Sequence, residues 1–89
     1  PKSIEEARFF GEINKVQVNS ATVYFRPSFY AISKDNEHNI EIPIDFEKVD
    51  QLGWYGAFHY KSEGAKVILY STTDISKLKS VFIRRINIG

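Results

Sequence analysis

The segment from Ile40 to Phe46, which reads IEIPIDF, decides the fold class of this chain because apolar and polar side chains alternate along it. Every second residue from Ile40 is Ile or Phe, and this period of two is typical of a half-buried β-strand. Pro43 lies between them and has no amide hydrogen to donate to a neighbouring strand. The segment is therefore predicted to be a strand that lies at a sheet edge or carries a bulge.

The same alternation predicts further strands on both sides of this segment. They are residues 12–18, 21–25, 29–32, 54–60 and 66–70. Short polar stretches separate them, and such residues favour turns because their side chains bond locally and tolerate unusual backbone dihedrals. These turns are Asn19-Ser20, residues 34–39 and Ser62-Glu63-Gly64, the last of which predicts a hairpin.

Helix signals are confined to the two ends of the chain. Ser3 precedes Glu6 by three residues, the spacing of a capping box, so a short helix is predicted over residues 4–10, ending at Gly11.

The C-terminal stretch has two interpretations. In the favoured one, Thr73 or Asp74 caps a long helix with an apolar stripe, formed by Ile75, Leu78, Phe82 and Ile86. In the alternative, a turn at residues 75–78 leads into a closing strand at residues 81–88, whose β-branched and aromatic content suits extended structure.

These elements fit into one domain, because 89 residues suffice for a single small core and no linker or repeat divides them. The predicted fold is mainly β: a small, partly closed barrel or roll of six to seven antiparallel strands, with the N-terminal helix and a C-terminal helix as its flanks. The absence of cysteine favours a reducing, cytoplasmic location. No apolar run is long enough to cross a membrane, so membrane insertion is not expected.

Catalytic chemistry is not indicated anywhere in the chain. It has no Gly-rich phosphate loop, no nucleophile elbow and no paired metal-binding histidines. His38 and His59 are its two histidines, and neither has a second ligand at a spacing that would hold a metal. The expectation is a non-enzymatic protein without catalytic residues, metal or cofactor.

A crowded aromatic segment carries the functional prediction. Trp54, Phe58 and Tyr60 are expected on one face of its strand and Tyr55 with His59 on the other, so one face is predicted to be exposed. Exposed aromatic side chains anchor protein interfaces, and an edge strand accepts an extended partner by backbone pairing. The predicted protein-binding residues are Trp54, Tyr55, His59, Pro43 and Tyr24.

Nucleic-acid binding is the alternative, although the net charge is only +1. Residues 75–89 contain four basic residues and no acidic one, which concentrates positive charge at that end. Aromatic rings would stack on bases while basic side chains contact phosphates, which makes the binding sensitive to salt. The residues in this hypothesis are Tyr24, Arg26, Tyr55, His59, Lys61, Arg84 and Arg85.

Three consecutive segments carry a resemblance to a known family. ATVYF at residues 21–25, FYAISKD at 29–35 and IEIPIDFEKV at 40–49 together resemble the middle of a bacterial PH-like or GRAM-type module. The resemblance implies a β-roll with a C-terminal helix, and a binding role. The basic loop by which some members hold phosphoinositides has no counterpart here, so lipid binding is not implied. A barrel of OB or SH3 type is the competing fold.

Overall fold

The computed structural model describes residues 12–86, which form eight strands and no helix. The strands are β1 (Asn14–Val18), β2 (Ala21–Phe25), β3 (Tyr30–Ala31), β4 (Ile40–Pro43), β5 (Asp45–Leu52), β6 (Tyr55–Ser62), β7 (Ala65–Ser71) and β8 (Ser80–Ile83). The predicted N-terminal helix at residues 4–10 lies outside the described residues. In the described part of the chain, no helix has the length and apolar character needed to span a membrane.

All strand pairings are antiparallel, and they divide the strands into three sheets instead of a closed barrel. The sheets have the strand orders β1-β2, β3-β8-β4 and β5-β6-β7. The mainly β prediction is confirmed, whereas the barrel is not supported. Both predicted tight turns form: Asn19 and Ser20 have φ of 51° and 69°, and Glu63 and Gly64 have φ of 48° and 89°. Two successive residues of positive φ match the right-handed twist of the strands that they join.

The favoured C-terminal helix is wrong, because residues 80–83 form the central strand of a sheet. β8 pairs with β3 on one side and with β4 on the other. Val81 and Ile83 are both 0% exposed, and Phe82 between them is partly buried. Alternate residues are therefore buried, as in an extended strand with one face toward the core. A helix would instead bury every third or fourth residue. The alternative strand was the better interpretation.

The strand count also differs from the prediction, because the decisive segment does not stop at Phe46. Ile44 separates β4 from β5, which continues to Leu52 and brings the number of strands to eight. β5 was not evident in the sequence because all eight of its residues are exposed. Charged side chains therefore interrupt the alternation that indicates a half-buried strand. Pro43 lies in β4, one of the two outer strands of its sheet, as predicted. A bulge does occur, but it lies between Phe46 and Lys48 in β5.

The sheets are joined by hydrogen bonds between strand edges and neighbouring segments. The Asn14 side chain donates from Nδ2 to the Ile68 carbonyl at 2.8 Å and accepts from the Ile68 amide at 2.8 Å. It therefore attaches β1 to β7 in the manner of a backbone pair. Further along β7, the Tyr70 amide donates to the Pro27 carbonyl at 3.1 Å. After β8, the Ile86 amide donates to the Tyr24 carbonyl of β2 at 2.9 Å.

One hydrophobic core lies between the sheets. Its most buried large side chains are Tyr60, Phe25, Ile42, Ile44, Leu69, Ile83, Val16, Val67 and Val81. Ile75, from the loop before β8, is 5% exposed and completes the core. Tyr60 is the polar exception, and its hydroxyl donates to the Ile75 carbonyl at 2.6 Å. This bond holds the loop against the core.

Alkaline pH is expected to destabilise the fold through Tyr60. Burial raises the pKa of the Tyr60 hydroxyl above its ordinary value of 10.0. The folded state therefore holds this proton more tightly than the unfolded chain, so the stabilisation is complete below about pH 10 and is lost as pH rises toward the folded-state pKa. Chemical denaturation at a series of alkaline pH values measures this loss.

Replacing Tyr60 with Phe is expected to reduce the slope of this alkaline loss. At neutral pH the same change is expected to cost about 0.5–1.5 kcal/mol, because the Ile75 carbonyl loses the Tyr60 hydroxyl but keeps the Leu78 amide, at 3.3 Å, as a donor. Tyr24→Phe is the matched control, since the Tyr24 side chain is half-buried on β2. An unchanged alkaline slope in Tyr60→Phe would contradict the assignment.

Candidate functional site

An aromatic groove lies between the β5–β6 turn and the strands β3 and β7. It has a volume of about 540 Å³. Its lining combines four aromatic side chains, Tyr30, Trp54, Tyr55 and Tyr70, with three small hydroxyl-bearing ones, Ser28, Ser71 and Thr72. A concave and largely apolar surface with a few polar groups is the usual form of a binding site. We name this site the aromatic groove.

The tip of the β5–β6 hairpin forms one wall of the aromatic groove. Gly53, in the turn, has φ of 69°, a left-handed value that glycine adopts without strain. The Gln51 side-chain amide donates to the carbonyls of Gly53 at 3.1 Å and Tyr55 at 3.2 Å. These bonds brace the turn that carries Trp54, whose side chain is 79% exposed. The largest apolar side chain of the protein is thus presented to solvent by a hydrogen-bonded turn.

The aromatic rings of the groove contact one another in series. The Trp54 and Tyr55 ring centroids are 5.1 Å apart at an interplanar angle of 61°, and those of Tyr55 and Tyr70 are 5.2 Å apart at 64°. Such edge-to-face pairs stabilise each other beyond the effect of burial. The Tyr30 hydroxyl donates to the Tyr70 carbonyl at 2.8 Å. The aromatic wall is therefore largely preorganised, which lowers the entropic cost of binding.

The aromatic groove is electrically neutral. None of its seven lining residues carries an ionised group at neutral pH. Burial raises the pKa of Tyr30 and is likewise the main cause that raises the pKa of Tyr70, so both hydroxyls remain protonated. The groove consequently offers flat apolar area and neutral hydroxyl groups, which suits a neutral segment of a ligand better than a phosphate.

The structure brings together only two of the five predicted protein-binding residues. Trp54 and Tyr55 line the aromatic groove, while Pro43 lines a separate concavity beside the β1–β2 turn. His59 lies further along β6, and Tyr24 lies on β2. Trp54 was expected on the same strand face as Phe58, but it lies in the turn before β6 and is exposed, whereas Phe58 is 6% exposed. The predicted separation of Tyr55 from Phe58 is confirmed.

The residues of the nucleic-acid hypothesis fall into two groups, and several are engaged with other side chains. His59 Nε2 is 2.9 Å from the Asp50 carboxylate. Arg84 lies 4.0 Å from the Phe29 ring centroid and contacts Glu37 at 3.4 Å. Tyr55, His59 and Lys61 lie on β6. Tyr24, Arg26, Arg84 and Arg85 lie in neighbouring segments, because the Ile86 amide donates to the Tyr24 carbonyl at 2.9 Å and the Arg84 amide to the Phe29 carbonyl at 3.0 Å. Lys61 lies opposite Asp45, so an acidic side chain neighbours the basic one on β6.

Five lining residues were missed by the sequence reasoning: Tyr30, Tyr70, Ser28, Ser71 and Thr72. Their separate signals were present as aromatic residues on predicted strands and hydroxyl residues between predicted segments. Their juxtaposition depends on contacts such as the Tyr30–Tyr70 hydrogen bond, which joins residues 40 positions apart. Local periodicity carries no information at that separation.

No group of three or more potential metal ligands occurs within residues 12–86. The two histidines each face one carboxylate, His38 that of Asp35 at 3.0 Å and His59 that of Asp50.

Comparison with protein-family models, with curated proteins and with solved structures finds no match to this chain. The resemblance to PH-like modules therefore stays a prediction.

Proposed function

We propose that this chain is a non-catalytic binding module that recognises a segment of another protein in the aromatic groove. The observation that carries the proposal is the exposure of Trp54, 79%, at the rim of a preformed concave surface. Large exposed aromatic side chains of this kind are typical binding hot spots, because they contribute apolar area at a low entropic cost. The hydrogen-bonded turn keeps Trp54 exposed, and an exposed apolar patch of this kind is typical of an interaction site.

Charge favours a protein segment over nucleic acid as the ligand. The groove is neutral, and the sheet beside it carries Asp45 opposite Lys61 and Asp50 against His59. Such carboxylates offset the positive charge that phosphate contacts require. Nucleic acid remains the alternative outcome of the experiment below.

Truncation of Trp54 is expected to abolish most of the binding. A random peptide library is selected against the wild-type chain, and the affinity of each recovered peptide is measured by titration calorimetry. Trp54→Ala is expected to weaken binding by roughly 30-fold or more, the loss typical of a hot spot. Ile32→Ala is the matched control, since Ile32 is 60% exposed but does not line the groove.

The same samples distinguish the alternatives. Recovered peptides that bind wild type, Trp54→Ala and Ile32→Ala equally well would overturn the assignment of the groove. Titration of single-stranded oligonucleotides at low and high salt tests the nucleic-acid hypothesis, because phosphate contacts make affinity fall steeply with salt. Tight, salt-sensitive oligonucleotide binding without peptide binding would replace the proposal.

A further inference from the structure

The outer edge of β5 differs from the opposite edge of the same sheet. β7 forms that opposite edge, and it is covered at Ile68 by the Asn14 side chain and at Tyr70 by the Pro27 carbonyl. β5 is the other outer strand, and all eight of its residues are exposed. An outer strand presents backbone amides and carbonyls to which another chain can pair. This edge is therefore open to a partner strand.

β5 also carries an unusual share of the exposed apolar side chains. Phe46, Val49 and Leu52 are 37%, 45% and 44% exposed, and they are three of the five exposed large hydrophobic residues in the described part of the chain. Phe46 and Val49 lie opposite Tyr60 and Phe58 of β6 and share a face, whereas Leu52 lies opposite Tyr55 and projects from the other face. A soluble monomer normally covers such side chains or separates them with charged ones. Charged side chains do separate them on β5, and the order of these charges indicates which strand could pair with this edge.

The charges of β5 are self-complementary about Val49. Lys48 and Asp50 flank it and project from the same face, with Lys48 Nζ 3.8 Å from the Asp50 carboxylate. If two copies of β5 pair antiparallel about a two-fold axis at Val49, Lys48 of each copy lies directly opposite Asp50 of the other. Opposite charges in directly facing positions stabilise a strand pair, and like charges destabilise it. The symmetry produces two such favourable pairs.

The neighbouring registers lack this complementarity. A two-fold axis at Lys48 would place the two lysines opposite each other, and an axis at Asp50 would do the same with the two aspartates. In the register centred on Val49, the bulged segment before Lys48 faces the neutral Gln51 and Leu52, so no like charges meet. The charge pattern thus selects one symmetric register, and a two-fold interface is the commonest form of self-association.

We infer that the edge of β5 is a homodimer interface, in which a second copy of this chain pairs antiparallel in the register centred on Val49. The two three-stranded sheets then form one six-stranded sheet. Val49 of each copy lies at the centre of the interface, and its exposed apolar surface is covered there. The inference is independent of the aromatic groove, because Trp54 lies beyond the paired segment.

Sedimentation equilibrium of the chain alone, at concentrations rising into the millimolar range, tests the inference. The wild type is expected to shift from 10.3 kDa toward twice that mass. Lys48→Asp and Asp50→Lys each place like charges opposite each other twice, so each is expected to weaken the dimer by at least about tenfold. The two variants become complementary to each other when mixed, so an equimolar mixture is expected to associate again. The double variant with both changes also restores complementarity.

Two results would overturn the inference. One is a wild-type chain that stays at the monomer mass throughout the range. The other is a dimer that Lys48→Asp and Asp50→Lys leave intact, or that mixing them does not restore. Because both variants alter exposed side chains, circular dichroism is expected to show unchanged folding in each. No peptide binding enters these measurements, so they fail or succeed separately from the proposed function.

Discussion

Replacing Ile83 with Ala is expected to lower the free energy of unfolding by about 2–5 kcal/mol, the range for a large-to-small change in a packed core. Ile83 is 0% exposed and lies in the central strand of its sheet, opposite Tyr30 on one side and Ile40 on the other. The truncation leaves a cavity, because β3 and β4 are both paired with β8 and cannot move in to fill it. Since small domains have a total stability of about 5–15 kcal/mol, the loss is a large fraction of it.

Urea denaturation followed by circular dichroism measures this loss. Ile32→Ala is the matched control, because it removes the same atoms from a side chain that is 60% exposed, and it is expected to change stability by less than about 0.5 kcal/mol. The comparison also distinguishes strand from helix at the C-terminus, since the helical stripe contains Phe82 but not Ile83. Equal stability of the two Ile→Ala variants would contradict the position of β8.

Replacing Asn14 with Ala is expected to cost about 2–4 kcal/mol, because it leaves both the amide and the carbonyl of Ile68 without their partner. Asn14 is 4% exposed, and water therefore has little access to replace the two lost hydrogen bonds. The side chain joins β1 to β7 across 54 positions of sequence. Its loss is expected to loosen the contact between two sheets, which hydrogen exchange at the Ile68 amide measures.

Asn14→Asp separates the hydrogen bonds from the size of the side chain. At neutral pH its carboxylate would face the Ile68 carbonyl, so the variant is expected to be destabilised like Asn14→Ala. A protonated carboxyl can donate to that carbonyl, so folding raises the pKa of the new Asp and stability increases as pH falls. Asn14→Ala is expected to lack this recovery at acid pH. Identical pH dependence of the two variants would argue against the bidentate arrangement.

The accuracy of the sequence prediction varied with how local the determining interactions are. The alternation at residues 40–46 and the two tight turns depend on near neighbours. Both turns form as predicted, and residues 40–46 are extended, although Ile44 divides the predicted strand between β4 and β5. The segment 80–83 is compatible with either period, because Phe82 belongs to the helical stripe while Val81 and Ile83 form the alternating buried face. Pairing of β8 with β3 and β4 resolved it, and these strands begin more than 35 residues earlier in the chain.

The candidate site shows the same division. Trp54 and Tyr55 were identified from local crowding of aromatic residues, and they do line the aromatic groove. Tyr30 and Tyr70 were not, since they belong to β3 and β7 and meet only when the sheets pack. The outer edge of β5 was missed for a different reason. Its charges conceal the alternation that otherwise indicates a strand.

The order of residues along the chain was enough to determine that this protein is built from antiparallel strands with tight turns, because the period of the side chains and the turn residues act over a few positions. It did not determine which strand is central, which edge is open or which rings share a groove. Those depend on register between distant segments, and register is decided when the whole core excludes water at once.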